Sequence, residues 1–286
     1  MKQALLGAAA SLGVSAAGFC RARVYDELRG ILSENPTAMA AGSVEERVNP
    51  FLLLPNAKSV MACLFSYNCG GEDGNLSRYA RAADYHITVK SKLSQLEELL
   101  KSSGYDARCF CDTGPLCDRY LAYLAGLGFF GRNRALINPV WGSFTFIGYI
   151  LTDAEIEPDE PLTLSCADCG RCERACPSGA LAKGGFCESR CASFLTQKKG
   201  ALSSFERAII KKSGFAWGCD VCQNVCPYNK SARLTEISEF RTDLITALTP
   251  DMAASGREFK KKYKSRAFSW RGYSIILRNL EILQED

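Results

Sequence analysis

Residues 166–177, CADCGRCERACP, set Cys166, Cys169, Cys172 and Cys176 at the spacing C-x2-C-x2-C-x3-C, closed by Pro177. In this pattern three thiolates wrap one face of an iron–sulfur cube and the fourth is carried to a second cluster. The chain then supplies Cys219-x2-Cys222-x3-Cys226-Pro227, the same pattern with Ala216 in the slot of the first cysteine. Four and three make seven ligands, and two cubes need eight. The nearest further cysteines are Cys187 and Cys191; Cys191 is favoured, but spacing does not decide between them. The crossing rule predicts one cluster on Cys166, Cys169, Cys172 and Cys226. The other takes Cys176, Cys219, Cys222 and one of that pair. Zinc also takes C-x2-C pairs, but its sites seldom show an unbroken triplet followed by C-P.

The remaining six cysteines (Cys20, Cys63, Cys69, Cys109, Cys111, Cys117) lack ligand spacing and read as small core residues. The total of 15 is odd, so a fully paired disulfide framework is impossible, and free thiolates suit a reducing cytoplasm. With 286 residues, 47% hydrophobic and 23% charged, the chain reads as globular, in one large domain or two modest ones. The net charge of +4 implies no partner by itself. A single histidine, His86, excludes histidine-rich metal sites. The N-terminal stretch is interrupted by Gly7 and Gly13 and followed by Arg21 and Arg23, so it is expected as a helix leading into a strand rather than a leader. No apolar run reaches the roughly 18 residues of a membrane span.

Residues 1–155 read as alternating helices and strands. Strands are predicted at 59–67, 105–111 and 143–151. Helical stripes fall at Val89, Leu93, Leu96 and Leu100, closed by Gly104, and at Leu116, Tyr120, Leu124 and Leu127. AEIEPDEP, beginning at Ala154, is linker-like. Ser203-x-x-Glu206 announces a capped helix. The expected class is α+β: an α/β-like domain over 1–155, a ferredoxin-like two-cluster domain over 156–235 and a basic helical segment over 236–286. Gly126-x-Gly128-x-x-Gly131 matches a dinucleotide fingerprint but follows a helical stripe, so it fails its context. Backbone lying close to a flat macrocycle is the expected use of those glycines. Asp112-Thr113-Gly114 is also the aspartic-protease triplet, but no second one is present.

Read together, CDTGPLCDRYLAYLAGLGFFGRNRALINPVWGSFTFIGYILTD from Cys111, CADCGRCERACPSGAL, CASFLTQKKG from Cys191 and GCDVCQNVCPYN from Gly218 resemble the epoxyqueuosine reductase family. LLLPNAKSVMACLFSY and RYARAADYH, upstream, extend the resemblance over most of residues 40–230. It implies a cobalamin-binding domain fused to two 4Fe-4S clusters, with Cys191 as the eighth ligand. It implies reduction of epoxyqueuosine to queuosine at the tRNA wobble position, with electrons from an external single-electron donor such as flavodoxin or ferredoxin. Asp112 is implied as the proton donor, and an apolar pocket is expected to raise its pKa. Cobalamin contacts are expected from Arg47, Tyr79, Arg81, Asp112 and Ser193. His86 lies in a matching motif and is not expected on the metal. The protein is expected to be a cytoplasmic monomer, and a short form without the C-terminal helical repeats of longer members.

Residues 257–278 hold eight basic residues and one acid, with Tyr263, Phe268, Trp270 and Tyr273 interleaved. That composition suits phosphate contact with aromatic stacking on an anticodon loop. Lys198, Lys199, Lys211 and Lys212 form a second basic group. The usual family residues are replaced at Ala82, Phe129, Gln197, Lys198 and Tyr228. Those departures leave two alternatives: a cobalamin and iron–sulfur reductase of a small molecule, or a non-catalytic electron carrier.

Overall fold

The run SVMACLFS forms β2, Ser59–Ser66, buried at every position because helices cover both of its faces. A computed structural model describes residues 1–37, 42–71, 73–182 and 185–285 of the chain. β1 is Ala16–Arg21, β3 Ala107–Cys111, β4 Phe129–Phe130, β5 Leu136–Ile137 and β6 Thr145–Thr152. The main sheet runs β1-β2-β6-β3 and every neighbouring pair is antiparallel. β4 and β5 form a separate small hairpin.

The helices of the first part are α1 (Lys2–Ser11), α2 (Arg29–Glu34), α3 (Val44–Val48), α4 (Tyr85–Ser102) and α5 (Asp118–Leu124). One sheet face packs on α1 and α4 through Leu5, Val89, Leu93, Leu96 and Leu100. Gly148 lets α4 approach, since a Cβ there would lie 2.5 Å from Leu93 Cδ1. The other face is covered by Leu121, Ala122 and Ala125 together with Tyr25 and Val48. Gly104, at φ +86°, closes α4 as its position predicted. The alternation of helices and strands was legible, but it builds an antiparallel sheet joined by long connections.

The second half is mostly short helices: α6 (Arg171–Ala175), α7 (Ala192–Leu195), α8 (Ser204–Ser213), α9 (Val221–Asn224), α10 (Pro227–Lys230), α11 (Gly256–Tyr263) and α12 (Tyr273–Gln284). The Ser203–Glu206 capping box forms at the start of α8. The cores run across the expected segment limits. Ile237 and Phe240 join the α1–α4 core. Leu76 and Ala80 pack with Trp217, Phe259, Tyr263, Phe268 and Ile276.

Candidate active site and cluster sites

The cysteines of the two motifs interleave in space. Cys166, Cys169, Cys172 and Cys226 line one cavity, closed by Arg132, Ile137 and Tyr228. Cys226 and Phe129 are buried there against Ile137, so this cavity docks on the β4–β5 hairpin. Arg132 ties the loop down through ion pairs to Glu173 and Asp168. Cys176, Cys191, Cys219 and Cys222 form a second set. Cys219 lies within the electrostatic reach of Cys191 and Cys176, and Cys222 within that of Cys219 and Cys191. Cys187 is exposed and pairs with Ser189. Among the described residues no three His, Cys, Asp or Glu side chains close on a single ion; the cysteines stand around a space.

The donor set fits iron–sulfur cubes. Burial pushes Cys219 up to about 12, with the neighbouring sulfurs adding to it. A bound cation inverts that, because a coordinating thiol is deprotonated outright. Burial also raises Cys176, but the backbone N–H groups of Leu181, Ser178 and Ala180 outweigh it and hold the thiol below its ordinary value. Similar donors reach Cys191 from Phe194 and Ser193, and Cys226 from Tyr228 and Asn229. Backbone donors of this kind stabilise charge on cluster sulfurs.

The DTGP loop follows β3 at the sheet edge. Asp112 takes φ +58°, an uncommon conformation for a residue with a Cβ. Its Oδ2 accepts a hydrogen bond from the Tyr85 hydroxyl at 2.7 Å and lies 3.2 Å from His86 Nε2. Asp84, the N-cap of α4, holds His86 Nδ1 at 2.7 Å. Tyr85 is fixed by stacking on Phe146, with ring centroids 4.0 Å apart. Gly114 is required because Phe110 Cβ and the Tyr149 hydroxyl occupy the space a side chain would need. A pocket of about 270 Å³ opens beside Asp112, lined by Arg47, Pro115, Cys117, Asp118, Arg119 and Glu188. Glu188 comes from the turn just before Cys191, so this pocket lies between the Asp112 loop and the second cysteine set.

The structure corrects the expected ionisation of Asp112. Its pKa lies below the ordinary carboxylate value, because the His86 hydrogen bond outweighs burial and Tyr85 adds a second donor. The side chain is 57% exposed to the pocket, not enclosed by apolar groups. The partner moves the other way: hydrogen bonds to Asp112 and then Asp84 raise His86 to about 9. At neutral pH the proton therefore resides on His86. The carboxyl that burial does push upward is Asp118, in the same pocket.

The expected cofactor contacts divide. Arg47 and Asp112 line the pocket, and Arg47 also donates to Cys117 Sγ at 3.6 Å. Two guanidiniums, Arg47 and Arg119, stand beside loop backbone and three carboxylates, Asp112, Asp118 and Glu188; the guanidiniums suit the phosphate and the polar lining the amide edges of cobalamin. Arg81 instead donates to the carbonyls of Leu76 and Gly71 and is 2% exposed, a structural role in place of the expected contact. Tyr79 is packed between two core clusters. Ser193 stands on α7, its N–H directed at Cys191. The glycines of 126–131 do not face a cofactor site. A Cβ would lie 2.6 Å from Glu160 O at Gly126 and 2.6 Å from Ile137 O at Gly128, so Gly126 packs against the segment at 159–160 and Gly128 against the hairpin.

Sequence reading passed over Asp84 and Tyr85, although both stand in the quoted motif. It also passed over Asp220 and Asn229. Asp220 accepts from Arg78 N–H at 2.6 Å and from the Ser77 hydroxyl. Asn229 accepts from Ser143 N–H at 2.7 Å. Both are polar residues set among or just after cluster cysteines, a signal that was available.

The basic C-terminal segment also needs correction. Tyr263 and Phe268 are core, and Tyr273 packs against it. Trp270 is 58% exposed, with the Arg271 guanidinium 3.7 Å from its ring centroid. Lys260, Lys261, Lys262 and Lys264 are exposed. Arg278 is spent on backbone carbonyls, and Lys198 is paired with Glu206. Ser265 O accepts from Asp84 N–H at 2.8 Å, so this segment borders the site.

An antiparallel sheet with an acid loop at its edge, joined to two interleaved cysteine sets, defines an iron–sulfur reductase class. Residues 165–229 match the family model described as 4Fe-4S double cluster binding domain, and residues 47–113 match epoxyqueuosine reductase QueG, DUF1730. The curated epoxyqueuosine reductase of Bacillus subtilis (strain 168) is 38% identical over 98% of this chain and 77% of its own length. A crystal structure of epoxyqueuosine reductase with an epoxyqueuosine-modified tRNA-Tyr stem loop superposes with a TM-score of 0.90 at 36% identity, covering 99% of this chain and 80% of that one. The chain belongs to the epoxyqueuosine reductase family. A catabolic reductive dehalogenase, NpRdhA, shares the fold, with TM-score 0.52 at 17% identity over 84% of this chain and 33% of that one. No helix among the described residues is long and apolar enough to cross a membrane.

Proposed function

We propose that this chain reduces epoxyqueuosine to queuosine in tRNA, with Asp112 delivering a proton to the departing epoxide oxygen. Removing that oxygen as water takes two electrons and two protons and leaves a carbon–carbon double bond. When bound, cobalamin supplies a strong cobalt nucleophile or electron donor, recharged one electron at a time through two 4Fe-4S clusters. The proposed ligands are Cys166, Cys169, Cys172 and Cys226 for one cluster, and Cys176, Cys191, Cys219 and Cys222 for the other. Arg47 and the Asp112–Arg119 loop border the cofactor pocket. The observation that carries the reading is the position of Asp112, on a pocket shared by the first-half loop and the turn before Cys191.

The exposed lysines of α11 and the Trp270–Arg271 stack lie in the segment whose Ser265 carbonyl accepts the Asp84 N–H. They suit the phosphates and an unpaired base of an anticodon loop. The same reading places the protein in the cytoplasm as a monomer, served by a flavodoxin- or ferredoxin-like donor.

The test is anaerobic reconstitution with iron, sulfide and cobalamin, followed by nucleoside analysis of tRNA carrying the epoxide. Wild type converts the nucleoside, and Asp112→Asn retains clusters and corrinoid but loses at least the 10²- to 10⁴-fold supplied by a positioned acid, about 100-fold or more. Corrinoid binding with turnover of small halides or epoxides and none of tRNA would favour the small-molecule reading instead.

A further inference from the structure

We propose that His86 is the proton store for Asp112: the imidazolium, aligned by Asp84, hands its proton through the Nε2–Oδ2 contact to the carboxyl that faces the substrate. The inference rests on the reading of Asp112 as the donor and adds where its proton comes from.

Three observations carry it. The geometry is a continuous line: Asp84 Oδ1 to His86 Nδ1 at 2.7 Å, then His86 Nε2 to Asp112 Oδ2 at 3.2 Å. The imidazole is fixed from both sides, since Asp84 also caps α4 by accepting from His86 N–H at 3.0 Å and the ring stacks on Tyr85. The reaction needs two protons, whereas Asp112 lies in its ionised form and has none to give until one reaches it. Asp84 fixes Nδ1 as a donor, which keeps Nε2 pointed at Asp112 in either state of the ring. As oxygen departs, Asp112 gives up a proton received from His86, and neutral His86 is recharged from solvent at its half-open edge.

The charges acting on His86 are those of Asp112 and Asp84. Tyr79 and Cys111 bear on Tyr85, and Asp118 faces Asp112 from the start of α5. Tyr85 is not the store, because burial and the adjoining Asp112 carboxylate push its hydroxyl far above its ordinary value.

The test is the pH profile of turnover on epoxide-bearing tRNA for reconstituted wild type, His86→Gln, His86→Ala and Asp112→Asn. Iron and corrinoid content are checked in each. Wild-type activity is expected to persist until pH approaches 9, where the imidazolium is lost. His86→Gln keeps a hydrogen-bond donor to Asp112 but stores no proton. Its activity at pH 7.5 is expected to fall at least about tenfold and to recover toward acidic pH. Imidazole added to His86→Ala is expected to restore part of the loss. A His86→Gln profile that overlays wild type would overturn the proposal while leaving Asp112 as donor. Wild-type turnover by Asp112→Asn would overturn the underlying reading as well.

Discussion

The Asp220 carboxylate, set between two cluster cysteines, accepts the backbone N–H of Arg78 at 2.6 Å. It is 1% exposed and also takes the Ser77 hydroxyl. One side chain thus fastens the Cys219–Cys222 loop to the segment leading into Tyr85 and His86. Asp220→Ala strands two buried donors and is expected to destabilise the fold by about 2–6 kcal/mol, near 1–3 per unsatisfied group. Thermal unfolding of the anaerobic protein checks this, and a variant as stable as wild type would refute it.

Iron content discriminates the cluster assignment. Cys226→Ala is expected to lose the cluster it shares with Cys166, Cys169 and Cys172, about four irons of eight. Cys191→Ala should cost the other cluster, whereas Cys187→Ala should leave the count unchanged. Equal losses from Cys187→Ala and Cys191→Ala would remove Cys191 as the eighth ligand.

Gly114 carries the DTGP loop past Phe110 and the Tyr149 hydroxyl, where a methyl group has no room. Gly114→Ala is expected to shift Asp112 and lower kcat by about 100-fold, the scale of a misplaced catalytic group. Cluster spectra should stay intact. The double variant Gly114→Ala/Tyr149→Phe, which removes the nearest atom, should recover part of the rate.

RNA contact is expected from exposed groups only. Replacing Lys260, Lys261 and Lys262 with Gln should weaken stem-loop binding and flatten its salt dependence by about 0.7 per lost phosphate contact. Trp270→Ala should cost about 1–3 kcal/mol if it stacks a base. Titration of an anticodon stem loop at several salt concentrations measures both. Unchanged binding in both variants would move the interface elsewhere.

Stability should follow the His86–Asp112 pair. His86 is raised from 6.5 to about 9, so its contribution is complete below pH 6.5 and lost as pH climbs toward 9. Asp112 is lowered, so its contribution is complete above its usual value and lost on acidification. The melting temperature should therefore decline from pH 6.5 to 9, and His86→Gln should flatten that decline.

What could be read in advance follows from the range of each interaction. Cluster ligands sit within a few residues of one another, so their spacing is written locally. The pairing of Cys226 with the first motif came from the crossing rule, a regularity of such chains. The strands read at 59–67 and 143–151 form at 59–66 and 145–152, each end within two residues of the reading. The Asp84–His86–Asp112 line was not legible, because α4 and the loop after β3 meet only once the sheet edge has formed. For that reason Asp112 was expected to be protonated by burial, when a partner 26 residues away decides the matter. The aromatics of 257–278 misled for another reason. Phe259, Tyr263 and Phe268 form a buried stripe, and composition cannot tell which side of a helix meets the core.

The clasp at Asp220 has an outcome for handling. If Cys219 holds a cluster as proposed, losing that cluster to air should loosen the loop whose Asp220 holds Arg78, in the segment that leads into α4. Oxidative damage should therefore spread from the metal sites to the acid–imidazole couple while the four-stranded sheet survives. Aerobically prepared material would then look folded by circular dichroism yet stay inert after iron is returned, unless that loop first re-forms.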